Sequence, residues 1–211
     1  MSHASHPSTP ALAVVLTLAL PHLLAAEGEA EPPGHEAELL NNARQLIFEG
    51  LRSGEGYFSA DGSKMVFQSE REPGNPFYQI YLMDLETGDT TRVSPGTGKT
   101  TCAWIHPSGE RVLFASTHED PEAVEQQQEE LEKRASGQGS RYSCSFDARY
   151  DIHEADTGGR ILRKLTNVPG CDAEGSWSPD GRTIVFASNR HAYGSEVVNK
   201  PTARLDRGVA C

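Results

Sequence analysis

Three stretches of the chain align with one another without gaps, and this repetition restricts the fold more than any other feature. They are FSADGSKMVFQSER from Phe58 to Arg71, IHPSGERVLFASTH from Ile105 to His118, and WSPDGRTIVFASNR from Trp177 to Arg190. In each copy an apolar or aromatic strand end enters a tight turn (SADG, HPSG, SPDG) and a second strand leaves it. Gly62, Gly109 and Gly181 fall where such a turn demands positive φ, which glycine adopts without a Cβ clash, and Asp180 belongs to the same turn in the third copy. The outgoing strands carry Met65-Val66-Phe67, Val112-Leu113-Phe114 and Ile184-Val185-Phe186, apolar on consecutive positions. Both faces of such a strand must be covered, so each is expected to be an inner strand between neighbouring sheets.

A second hairpin follows each of the first two copies. One is QIYLMDLETGDTTRVS, Gln79 to Ser94, turning at Thr87-Gly88; the other is RYDIHEADTGGRILRKLT, Arg149 to Thr166, turning at Thr157-Gly158. Two hairpins make one four-stranded sheet. The turn glycines of successive copies lie 47 and then 72 residues apart, and the 25 additional residues fall in an insertion spanning 119–147. Roughly 40 to 50 residues per four-stranded unit is the period of a β-propeller blade. The expected fold is therefore all-β, an incomplete propeller with four-stranded antiparallel blades at about 55–94 and 101–166 and a half-blade at 174–188. Residues 44–48 read as an outer strand of the kind that closes a propeller ring from the N-terminal side. Within the insertion, Val124 and Leu131 stand seven apart among Glu and Gln, which reads as an exposed helix, either a solvated flap or a partner-binding element.

The third copy, Trp177-Ser178-Pro179-Asp180-Gly181 followed by Phe186-Ala187-Ser188, resembles the blades of TolB-like propellers, which are related to WD-type repeats. The first copy has Ala60 in place of the Pro, and the second has His106 and Ser108 in place of the Ser and Asp. The resemblance covers residues 44–191, about 70% of the chain. It implies a display platform with protein partners in the periplasm or cell envelope, and propellers of this kind serve many purposes. After His191 the repeat pattern fails, and Pro201 stands where the next strand is due. The chain reads as a truncated or frame-shifted propeller, with self-association through open blade edges as the alternative.

Outside the repeats the chain divides into an export signal at 1–26, an acidic linker at 27–43 and a divergent tail at 192–211. Residues 1–26 contain no charged side chain and hold an apolar run from Ala11 to Leu20, closed by Pro21 and the small Ala25 and Ala26. Ten apolar residues are too few for a helix to span a bilayer, so a secretory signal is expected and a stable membrane span is not. Against this, the n-region has no Lys or Arg, and Leu24 occupies the position three before a cut at Ala26; an uncleaved tether is the alternative. Cys102, Cys144, Cys171 and Cys211 contain no C-x-x-C pair, so zinc held by cysteines is not indicated. A Cys102–Cys171 disulfide is conceivable, and isolated thiols are the other reading.

The formal charge is −11, but residues 27–38 and 119–134 each contribute −5, leaving −1 for the rest. Phosphate neutralisation needs a concentrated Lys/Arg surface, and no segment supplies one, so nucleic-acid binding is excluded. The sequence GTGKT, Gly96 to Thr100, lacks the first glycine of a phosphate loop, since Val93 stands there, and a hairpin follows where the motif needs a helix. His153-Glu154 starts like a zinc-binding H-E-x-x-H helix, but Thr157 occupies the last ligand position. No nucleophile elbow G-x-S-x-G is present. No catalytic, cofactor or metal residue is therefore expected. The candidate interaction face is Arg71, His118 and Arg190, equivalent in the three copies, with Lys99 in the connection between blades. These side chains would bind an anionic or peptide ligand or simply be solvated. The expected function is that of a non-enzymatic, exported protein-interaction scaffold. The rival is the propeller remnant of a serine peptidase-type hydrolase without its catalytic domain.

Overall fold

The structure is a computed structural model and describes residues 39–138 and 147–190. The expected signal peptide at 1–26, the linker up to residue 38 and the tail at 192–211 lie outside them, as do Cys144 and Cys211. Residues 1–44 and 45–211 are separate units, and every strand belongs to the second.

Strands β1 (Arg52–Phe58), β2 (Lys64–Glu70), β3 (Gln79–Asp84) and β4 (Thr90–Arg92) form the first antiparallel sheet in the order β1-β2-β3-β4. Strands β5 (Thr100–Ile105), β6 (Arg111–Ser116), β7 (Asp151–Asp156) and β8 (Ile161–Lys164) repeat that order in the second. Strands β9 (Asp172–Trp177) and β10 (Ile184–Ser188) pair as a half-blade. Between β6 and β7 runs the helix α1 (Ala123–Ala135). The described residues thus form an all-β arc of two complete propeller blades and a half-blade, with one helix in the insertion.

Consecutive apolar residues send their side chains to opposite faces of a blade. Val66, Ile80, Leu82 and Val93 of the first blade close on Ala103, Ile105, Val112, Phe114 and Ala155 of the second, all buried. Met65, Phe67, Tyr81 and Met83 form the other face of the first blade. On the far face of the second blade, β9 lies so close that a Cβ on Gly175 would come within 2.8 Å of the Leu113 side chain. Burial of each such side chain stabilises by about 1.5–3 kcal/mol, so β2 and β6 owe their place to covering on both sides. The third such strand, β10, stands at the open end of the stack, where Val185 and Phe186 are exposed, as expected of an incomplete propeller.

The three repeat turns share one geometry. Gly62, Gly109 and Gly181 have φ of 72, 75 and 69°. In the first and third copies a serine hydroxyl donates to the turn aspartate, Ser59 to Asp61 and Ser178 to Asp180, both at 2.6 Å. Asp61 and Asp180 in turn accept the backbone N–H of Ser63 and Arg182. The Ser59 hydroxyl, then the Ser63 N–H and hydroxyl, hold the exposed Asp61 carboxyl down to about 2. The second copy reaches the same turn differently. The His106 Nδ1 accepts the Ser108 N–H at 3.0 Å, and its Nε2 side reaches the Gly181 carbonyl at 3.2 Å, linking the second blade to the half-blade turn.

The second hairpin of the second blade turns at Thr157-Gly158 as read from the sequence, the Gly159 N–H donating to the Asp156 carbonyl and Gly159 taking positive φ. The β7–β8 pairing is interrupted by one register shift, between Glu154 and Ala155. One detail differs from the sequence reading. Residues 44–48 form no strand; instead Leu46 and Ile47 lie half-buried against Met65, Phe67, Tyr81 and Met83, giving that face partial cover.

Gly62 and Gly181 separate conformation from space. Around Gly62 a Cβ would meet nothing within 4 Å, whereas at Gly181 it would overlap the His106 ring. Gly62→Ala should cost about 1–2 kcal/mol from the left-handed backbone alone. Gly181→Ala should cost about 1–3 kcal/mol more from overpacking. Chemical denaturation of the two variants measures the difference, and equal losses would refute the His106 contact.

Candidate functional site

Arg71, His118 and Arg190 follow β2, β6 and β10, and Lys99 precedes β5, so all four stand at the strand ends opposite the repeat turns. Arg71, His118 and Arg190 do occupy equivalent positions, each two residues beyond a serine whose hydroxyl it engages. Arg71 Nε donates to Ser69 Oγ at 3.1 Å, His118 Nδ1 meets Ser116 Oγ at 2.8 Å, and Arg190 Nε donates to Ser188 Oγ at 3.0 Å. Both arginines also pair with acids of this chain. Arg71 pairs with Glu49 at 3.1 Å and lies over Tyr81, and Arg190 pairs with the buried Asp172. Lys99, expected in a solvated connection, has a half-buried ammonium 2.7 Å from Asp147 and above the Phe77 ring. All four thus hold the connections in place.

The GTGKT segment lies beside Lys99, and its backbone donors are engaged within the chain. The Gly96 N–H donates to Gln79 Oε1 and the Gly98 N–H to Gln127 Oε1, so two of the donors that an anion would need are already occupied. The carbonyls of Gly96 and Gly98 accept from Asn75, and that of Gly98 also from Gln79. Gln127 belongs to α1 and donates as well to the Gly74 carbonyl. Arg134, one helical face along, donates to the Pro76 carbonyl at 2.9 Å and pairs with the buried Glu70. The insertion helix expected from Val124 and Leu131 therefore exists, but it is docked on the first blade by a glutamine and an arginine, while Val124 is left exposed.

At the innermost strands the structure assembles a group that residue types alone did not reveal. Glu55, Cys102 and Glu174 all have left-handed backbone, with φ of 47, 54 and 55°. Each sits at a bulge of the first strand of its blade, three residues before Phe58, Ile105 and Trp177. Their spacing equals that of the turn glycines. Cys102 Sγ donates to Glu174 Oε1 at 3.0 Å. Burial and the Glu174 carboxylate push the Cys102 thiol far up, so it stays protonated. Cys102 is free, and Cys171 is disulfide-bonded, so the conceivable Cys102–Cys171 bridge does not form.

A second unforeseen cluster lies at the root of the insertion. His118, Glu119 and His153 bring one ligand atom each within 4.8 Å of one another. The His118 and His153 rings are 4.4 Å apart between centroids. Burial, then the neighbouring His153, lowers His118 to about 4, and burial lowers His153, so both imidazoles are neutral at neutral pH. The buried Nε2 of His153 has no hydrogen-bond partner, a deficit that costs about 1–3 kcal/mol. The absence of an H-E-x-x-H helix had argued against a metal here, but the pairing of β6 with β7 brings together histidines 35 residues apart.

No family model matches the chain. Over 172 residues it is 30% identical to a TolB homologue of Chlorobium luteolum, a match covering 74% of this chain and 38% of that protein. The similarity is to TolB. A stretch of 39 residues is 54% identical to the Tol-Pal system protein TolB of Nitratidesulfovibrio vulgaris, covering 17% of this chain and 9% of that protein. A solved TolB structure from Agrobacterium tumefaciens matches with a TM-score of 0.48 at 20% identity, over 67% of this chain and 40% of that one. The TolB-like chain spans 38% of the length of the Chlorobium relative.

Two outcomes follow for this TolB-like arc. Gln127→Ala leaves the Gly98 N–H without its acceptor and should cost about 1–3 kcal/mol. Hydrogen exchange should accelerate across α1 and at Gly98 while β2 and β6 stay protected; unchanged exchange would refute the docking. An alkylating reagent at neutral pH should spare Cys102 in the native chain and label it once denaturant is added. Cys171 should remain unlabelled until a reductant is present.

Proposed function

We propose that the chain is a non-enzymatic, exported TolB-like β-propeller that serves as a protein-interaction scaffold in the periplasm or cell envelope. The similarity over 172 residues to a TolB homologue carries this reading. Export is further supported by the disulfide at Cys171, since such bonds persist in oxidising compartments. Among the described residues, no helix is long and apolar enough to cross a membrane.

The side-chain chemistry favours display over turnover. Among the described residues two Ser–His contacts occur, Ser108 with His106 and Ser116 with His118. In both, the serine lies two residues from the histidine and meets its Nδ1, and Ser116 is buried. A hydrolytic serine needs an accessible hydroxyl on a base that a third group orients. In the proposed scaffold Arg71, Lys99, His118 and Arg190 shape the loop face from beneath, and the connections and α1 meet the partner. One similar protein is named for the Tol-Pal system, so the partner is sought first among the envelope proteins of such a system.

Residues 1–43 fused to a reporter that is active only after export should direct it out of the cytoplasm. The purified chain should bind the Pal protein of its own cell saturably, with binding weakened when α1 is undocked by Gln127→Ala. It should not turn over peptide or ester substrates. Retention of the reporter inside the cell, or hydrolysis abolished by changing a single serine, would overturn the proposal.

A further inference from the structure

We propose that His118, Glu119 and His153 form a binding site for one divalent transition-metal ion of the zinc class, fastening the root of the insertion to β7. The donor set is two imidazole nitrogens and a carboxylate oxygen, which suits zinc with a fourth position left open. Metal–ligand bonds of about 2.0–2.1 Å in a tetrahedron place donors about 3.4 Å apart. The observed separations reach 4.8 Å, so a modest rotation closes the set. Glu119 is exposed and His118 only half-buried, so both can supply it, whereas His153 is fixed in β7.

The orientation of His153 is the strongest indication. Its Nδ1 lies 3.0 Å from the Asp151 carbonyl, to which it can only donate. That bond fixes the tautomer and leaves the Nε2 lone pair, fully buried and without a partner. An imidazole whose far nitrogen is tied to a carbonyl while the near lone pair is unmet has the outer-shell arrangement of a metal ligand. His118 Nδ1 lies 2.8 Å from Ser116 Oγ, and in the tautomer in which that hydroxyl accepts, Nε2 is left to offer. The charged groups facing the cluster are Glu119, Lys164 and Asp151. Lys164 bridges the two carboxylates, at 2.8 Å from each, through Oε2 of Glu119, so Oε1 remains for the ion.

The test is titration of Zn2+ into the metal-stripped full chain, with Co2+ as a spectroscopic substitute. One equivalent should bind, and Co2+ should give the visible bands of a four-coordinate site. His153→Phe and His118→Gln should each weaken Zn2+ binding by about 100-fold or more, and Glu119→Gln by about tenfold. Since Phe leaves no unmet lone pair at position 153, the metal-free His153→Phe chain should melt no lower than the wild type. Should that variant fold poorly, His118→Gln, at the half-buried position, carries the test. Zn2+ should also slow hydrogen exchange at residues 117–121 in the wild type alone. Absence of saturable binding overturns the proposal. So does affinity that survives both histidine substitutions, because the ion then belongs to His3, His6, His22, His35, His106 or His191.

Discussion

Every blade of this molecule depends on its neighbour for a hydrophobic core. A single four-stranded sheet with apolar residues on both faces has nowhere to bury either, and the first two blades resolve this by closing Val66, Ile80 and Leu82 onto Ala103, Val112 and Phe114. The arrangement is nearest-neighbour in character, so stability accumulates blade by blade. It also explains why the same sequence pattern has different burial in β6 and β10: the strands are alike, and only the cover differs.

Between the apolar layers, buried acids are held by arginines. Glu154 is gripped by Arg111 and Arg163, at 2.5 Å each, from the strands on either side of β7. Glu70 is shared by Arg52 of β1 and Arg134 of α1, and Asp172 is held by Arg190. Loss of Arg190 would leave the Asp172 charge buried without its ion-pair partner, a deficit of about 3–5 kcal/mol, whereas Glu154 and Glu70 each keep a second arginine when one is lost. These pairs therefore act chiefly to fix which strand and which helix face go together. The helix illustrates the point: its placement comes from Gln127 and Arg134, and the apolar Val124 contributes little.

The blade period, the strand order and the three turn glycines were legible because they follow from local chemistry repeated at a fixed spacing. What was not legible depended on geometry between segments. The strand expected at 44–48 was inferred from apolar content, and Leu46 and Ile47 do find apolar company, but without pairing into a sheet. The docking of α1 was missed because amphipathic patterns register apolar residues, and its anchors are an amide and a guanidinium. The His118–His153 pair was invisible to motif spacing, since strand pairing and not a helical turn brings the rings together. The Glu55, Cys102 and Glu174 set was detectable in principle, because its offsets match those of the turns, but nothing in those residue types marks them as equivalent.

The left-handed bulges at Glu55, Cys102 and Glu174 have a consequence for how such a chain can diverge. A bulge removes one residue per blade from the strict in-and-out alternation, so its side chain is released from the strand ladder, even where, as at Cys102, it stays buried and bonded to the next blade. An acid, a thiol and a second acid occupy these places with the same backbone, which indicates that the fold tolerates exchange there. The inner lining of the arc can therefore be rewritten one blade at a time, each rewriting altering the polarity of a shared inner rim while the blades that carry it keep their packing.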